Sequence, residues 1–193
     1  MKIKALAITL IFLMIFMVGC ARQQQSKEEP RQETPKQTTP PESTPDVKTT
    51  ASIVDDEEAF EKAMSKEGSW IICALKDMTF DKEIVLDGVF KNGKKDEQGN
   101  DIIQRKIALY TQDENRNVTE EFTLTAPKLT INSPNARIQH GTFKGDIYVN
   151  AENFELVDTD VEGNVYFMNE KAQETFKMDE KSKITGVKEL KKD

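Results

Sequence analysis

Hydrophobic and polar positions divide the chain into three regimes. From Ala5 to Val18 the chain is apolar apart from Thr9. That run is shorter than the roughly 17–25 residues that span a bilayer, and it matches the core of a secretory signal. Residues 21–54 hold no aromatic side chain and five of the chain's seven prolines. Such a stretch has too little apolar surface to offset the entropy of ordering it, which predicts a disordered tether. From Asp55 onward, apolar residues return with a period. Asp55, Asp56, Glu57 and Glu58 crowd a first turn, Ala59, Phe60, Ala63 and Met64 share one helical face, and Gly68 closes the segment. A helix over about 55–67 is predicted. Residues 70–75 read as a buried strand. Short period-two segments follow at 78–80, 84–90, 107–110, 122–125, 129–131, 147–149, 154–157, 165–167, 175–178 and 184–187, with no further helix signal. Two polar segments, 91–100 and 111–121, read as loops.

Many short strands fit a sandwich, a barrel or a solenoid. Internal similarity separates these. Gly145-Asp146-Ile147-Tyr148-Val149 is matched further along the chain by Gly163-Asn164-Val165-Tyr166-Phe167. A looser copy contains Leu129-Thr130-Ile131, and Gly141, Gly163 and Gly186 close the third element of successive copies. Three short strands per copy, stacked so that neighbours complete one another's core, predict an all-β right-handed parallel β-helix. It would occupy residues 55–187, with a charged tail at 188–193. A β-sandwich is the alternative. In the β-helix, alternation points Ile147, Val149, Val165 and Phe167 inward and stacks Tyr148 and Tyr166 outward, one above the other.

Two resemblances rest on these residues. Met17-Val18-Gly19-Cys20, where the apolar run stops, resembles the bacterial lipoprotein signal, with Met17 in place of the usual Leu. The resemblance implies cleavage between Gly19 and Cys20, diacylglyceryl attachment to the Cys20 sulfur, and acylation with chains such as palmitate. Two acyl chains hold a protein stably on a membrane where one does not. The expected address is extracytoplasmic, on the cell membrane or on an outer membrane if the cell has one, with residues 20–54 as the lipidated tether. The folded part resembles the pectin-lyase-like β-helix family. An acidic amphipathic helix, Gly68, a buried strand, then Met78-Thr79-Phe80 and Ile84-Val85-Leu86 carry the likeness. In that family a helix caps the first coil.

Charge narrows the partners. The chain is −7, and residues 55–193 hold 29 acidic against 20 basic residues, a net −9. Nucleic-acid binders show a basic face, so none is expected as a partner. An acidic domain near an anionic lipid surface stands off it. Cys20 and Cys73 are the only cysteines and His140 the only histidine, which excludes disulfide scaffolds and multi-histidine metal centres. Cys73 sits in an apolar strand and reads as a small core residue.

Few residues invite chemistry. Exposed Tyr148 and Tyr166 suit sugar faces, or else shield the sheet. Asp158, Asp160 and Glu162 alternate onto one face, a weak set of candidates for calcium. They lack the neighbouring base that the related pectate lyases would lead one to expect. Arg137-Ile138-Gln139-His140-Gly141 is similar to part of a polygalacturonase motif whose acid cluster is absent, so His140 reads as a turn residue. No catalytic residue, cofactor or metal is assigned. The expected function is a non-enzymatic binding or structural module anchored through its lipid, meeting an envelope polysaccharide or another surface protein. A degenerate polysaccharide lyase or hydrolase is the alternative, and a self-assembling scaffold the second.

Overall fold

Residues 52–191 are described by the computed structural model. The leader, Cys20 and the tether up to residue 51 lie outside them. Of the described residues 49% are strand and 10% helix, which makes the domain a β structure.

Two sheets carry the core. The first runs in the order Ser52–Val54, Ile71–Ala74, Arg105–Ala108, Ala136–Gln139, Glu155–Val157 and Lys177–Met178. In the second, the long strand Thr123–Ile131 lies between Met78–Thr79 with Ile84–Leu86 on one side and Thr142–Val149 on the other. Thr142–Val149 then pairs with Asp160–Glu162 and Val165–Phe167, which pair with Lys183–Ile184 and Lys188–Leu190. Every pair in both sheets is parallel. A sandwich of antiparallel hairpins would need the opposite direction there.

The register explains why the sequence repeats. Leu129 faces Ile147 and Ile147 faces Val165, the same spacing along the chain at both steps. Tyr148 faces Tyr166 and Val149 faces Phe167, so the two matching pentapeptides pair residue for residue. Parallel strands lie about 4.8 Å apart, so residues one step apart stack in columns. Ile72, Ile107, Ile138 and Leu156 form one column, and Leu86, Ile131, Val149 and Phe167 another, all essentially fully buried. Burying one such side chain contributes roughly 1.5–3 kcal/mol. One step supplies only a few, so it depends on the step above and below.

The early steps are longer. Ile72 faces Ile107 and Ile107 faces Ile138, both wider spacings than that from Ile138 to its partner Leu156. Each contains an inserted antiparallel hairpin: Lys91–Lys95 with Asp101–Ile103, and Tyr110–Gln112 with Val118–Glu121. These are the segments read as loops from sequence. Their tips are alike. Asp96 accepts from the backbone of Gln98 and Asn100, and Asp113 accepts from that of Asn115 and Asn117. Both tips are built on Asp-Glu-x-x-Asn, which hides strand character behind polar composition.

Several boundaries move. Val54, placed in the tether by composition, is buried in an edge strand. Lys188–Leu190, placed in a charged tail, is a strand whose Leu190 packs on the core. A helix over Glu170–Thr175, α2 below, stands where none was expected. It is capped by Asn169 and buries only Ala172, so it has no apolar periodicity to read. The corner glycines also regroup. A Cβ on Gly163 would lie 1.9 Å from the Gly145 oxygen, and one on Gly186 2.5 Å from the Gly163 oxygen. The stacked set is therefore Gly145, Gly163 and Gly186, while Gly141 approaches Phe122 and Leu109 at another corner.

The predicted helix forms over Glu57–Met64, here α1, capped by Asp56 accepting from the Ala59 N–H at 2.8 Å. Phe60, Ala63 and Met64 are buried beneath it. Its C-terminal end is held by Arg105, which is fully buried. Nη2 of Arg105 donates to the carbonyls of Ala63 at 2.6 Å and Ser65 at 3.0 Å, and the guanidinium lies 3.9 Å over the Phe90 ring.

Candidate functional site

Alternation along Thr142–Val149 buries Ile147 and Val149 and turns Tyr148 outward; Val165 and Phe167 do the same for Tyr166. The two rings lie 5.1 Å apart, tilted by 47°. Two lysines join them. Lys128 Nζ lies 4.7 Å from the Tyr148 ring centre, and Lys191 Nζ lies 4.6 Å from it and 5.3 Å from that of Tyr166. Lys191 also donates to the Tyr148 hydroxyl at 3.3 Å. Register extends the column to Val85, Thr130, Tyr148, Tyr166 and Glu189.

Acids brace this face. Glu83 pairs with Lys128 at 3.0 Å and accepts from the Thr130 hydroxyl at 2.6 Å. That hydroxyl, and then Lys128, hold the Glu83 carboxyl below its usual range. Asp146 accepts from the backbone and side-chain N–H groups of Asn164. Desolvation, and then Asp146, push the Tyr166 phenol up, so it stays neutral. The result is an open aromatic step with ammonium groups beside it. Such a surface can hold the C–H face of a sugar ring and a nearby anion together. Sequence reading found both tyrosines and missed both lysines. Lys128 pairs in register with Asp146, so extending the repeat backwards places it beside the tyrosine step, while Lys191 lay in the presumed tail.

The acid row does not hold together. Thr159 and Val161 are fully buried, as alternation requires. Glu162 is paired with Lys144 at 3.0 Å, and Asp160 stands in register between Thr142 and Lys183. Asp158 departs from the strand. Its φ of 51° places it at a left-handed corner, where it meets Lys181 at 3.1 Å. The three acids therefore do not form one calcium site.

Asp158 instead joins His140, whose φ is 57° at the preceding corner. Glu121, at the end of the second hairpin, completes the group. His140 Nδ1 lies 3.2 Å from Glu121 Oε1 and 3.3 Å from Asp158 Oδ2. Among the described residues, this is the one group of three metal-ligating side chains whose donor atoms converge, all within 4.8 Å of one another. The sequence hides it because residues 121, 140 and 158 carry no motif and meet only through stacking.

Cys73 is half-buried and free, and desolvation raises its thiol pKa, which suits an inert packing residue. No family model matches the sequence, and neither a curated protein nor a solved structure matches it.

Proposed function

We propose that this protein is a lipid-anchored extracytoplasmic lipoprotein whose β domain is a right-handed parallel β-helix, capped by α1, that binds an anionic envelope polysaccharide without chemically changing it. The carrying observation is the Tyr148–Tyr166 pair with Lys128 and Lys191 against it. All-parallel sheets, stacked columns and a spacing that recurs from Leu129 to Ile147, Ile147 to Val165 and Ile138 to Leu156 support the β-helix reading. The polymer is anionic because the ammonium groups of Lys128 and Lys191 lie 4.6–5.3 Å from the ring centres. The excess negative charge of the domain disfavours polyanions elsewhere on it, so binding concentrates at this face and weakens with added salt. The leader and Cys20 supply the anchor, and the tether that follows, up to residue 51, holds the domain off the membrane.

The test is titration of the full chain with polygalacturonate and with peptidoglycan. Tyr148→Ala and Tyr166→Ala each remove a ring worth about 1 kcal/mol or more of stacking, so each weakens binding severalfold, and the double variant abolishes it. Unchanged affinity in the double variant refutes the assignment. Release of unsaturated sugar ends would replace it with the lyase alternative. Loss of palmitate labelling in Cys20→Ala checks the anchor.

A further inference from the structure

The corner formed by Glu121, His140 and Asp158 brings three metal-ligating atoms within 4.8 Å of one another, and this holds whether or not the tyrosine face binds a polymer. Three separate parts of the chain deliver it. Glu121 ends the hairpin strand Val118–Glu121, His140 follows the strand Ala136–Gln139, and Asp158 follows Glu155–Val157. Because Gln139 is in register with Val157, His140 and Asp158 occupy equivalent corners one step apart. Both are left-handed, and their side chains come within hydrogen-bonding range of one another.

The imidazole is held in place. Its ring packs edge-on against Tyr110, with centres 4.4 Å apart, and the Tyr110 hydroxyl accepts from Lys106 Nζ at 3.1 Å. The His140 backbone N–H donates to the Val157 carbonyl at 2.9 Å. Nδ1 is sealed from solvent, yet neither nearby carboxylate oxygen lies where a hydrogen bond from it would form. An imidazolium bridging two carboxylates would aim its N–H at one of them.

A chelated ion accounts for that arrangement. Zinc takes nitrogen and oxygen ligands at about 2.0–2.2 Å, so the ligand-to-ligand edge of its tetrahedron is about 3.4 Å. The two edges at Nδ1 are 3.2 and 3.3 Å. In the same tetrahedron the oxygens stand about 35° off the imidazole lone-pair axis, too far for a good hydrogen bond. The Lys181 ammonium pairs with Asp158 at 3.1 Å and is also drawn by Asp179 and Glu121, so it is the cation a bound dication would displace. Lys181 is 72% exposed and moves into solvent at little cost.

We propose that Glu121, His140 and Asp158 bind a transition-metal dication of the zinc class. One imidazole with two carboxylates suits zinc better than calcium or magnesium, which prefer oxygen alone. Three protein ligands leave a position for water, and half-exposed Glu121 keeps that position open. The ion would also staple the second hairpin to two adjacent corners.

The experiment is calorimetric titration of zinc chloride into the full chain after stripping with chelator. A single saturable site is expected, together with a higher melting temperature. His140→Asn, chosen because asparagine tolerates the left-handed corner, removes the site. Glu121→Gln, at an exposed strand end, removes it too and decides the matter if the histidine variant folds poorly. Lys181→Gln tightens zinc by up to about fivefold, the equivalent of one surface ion pair. No saturable binding in the wild-type chain overturns the proposal. So does binding retained in both ligand variants, or Lys181→Gln weakening it.

Discussion

Arg105 is the side chain on which the capping helix depends, and its replacement gives a two-sided test. Two hydrogen bonds from a charged donor, to Ala63 and Ser65, each contribute about 1.5–3 kcal/mol. A cation at a helix C-terminus adds up to about 2 kcal/mol in a partly buried setting. Against this stands desolvation. Among the described residues Nε and Nη1 find no partner, and burial pushes the guanidinium pKa down to about 10, with Asp87 opposing the shift. A base whose pKa is lower folded than unfolded loses its proton more readily in the folded state. The resulting cost, roughly 3 to 4 kcal/mol at 1.4 per unit, is complete below pH 10 and fades as pH rises above it. At the low end of those gains the cost nearly cancels them, as buried charges often do when an apolar side chain replaces them. Arg105→Met keeps most of the volume and should cost only about 1 kcal/mol. Arg105→Ala also leaves a cavity beneath α1 and should cost about 3 kcal/mol. Urea unfolding of the full chain reads the difference as about 1 M in midpoint. Amide exchange at Phe60 and Ala63 should speed up before the sheets are affected. Equal cost for alanine and methionine would refute the balance of charge against volume, and no cost for alanine would refute the clamp.

Other expectations concern the corners and the hairpins. Gly163→Ala places a methyl 1.9 Å from a backbone oxygen of the adjacent step, so it should destabilise by about 1–3 kcal/mol or more, measured by thermal unfolding. Gly99→Ala meets no atom within 4 Å but sits at a φ of 84°, so its smaller loss isolates backbone strain from crowding. In the first hairpin, Lys91 and then Lys95 hold the Asp101 carboxyl down at about 2. A depressed acid contributes stability that is complete above its unfolded pKa near 4 and is lost as pH falls through 2. Amide exchange across residues 91–103 should therefore accelerate between pH 4 and 2 in wild type and show a smaller step in Asp101→Asn, where Asp96 remains, itself held down by Asn100.

Exposed edges are managed unevenly. The last strands of both sheets, Lys177–Met178, Lys183–Ile184 and Lys188–Leu190, all begin with lysine, which blunts edge pairing with another chain. At the opposite end α1 packs beside Ser52–Val54 and Ile84–Leu86. Both devices work against end-to-end assembly of copies, the scaffold alternative raised by the repeat.

What could be read without coordinates was whatever the chain states locally or repeats. Acids ahead of Phe60, Ala63 and Met64 announced the first helix, because capping and amphipathic spacing lie within a few residues. The pentapeptides that begin at Gly145 and Gly163 announced stacking, because equivalent positions in adjacent steps bury the same side chains. The inward and outward roles of Ile147, Tyr148 and Val149 followed from alternation alone. Tertiary structure decided everything that depends on which step lies beside which. Two hairpins lengthened the early steps, so the spacing there could not be extrapolated. Helix α2 formed around a single buried alanine, with too few apolar side chains to show a period. Lys191 reached Tyr148 from a distant part of the chain. Glu121, His140 and Asp158 converged because two corners turn left-handed and a hairpin ends beside them. Backbone hand and parallel register set those meetings, and a local run of residues does not say which strands they bring side by side.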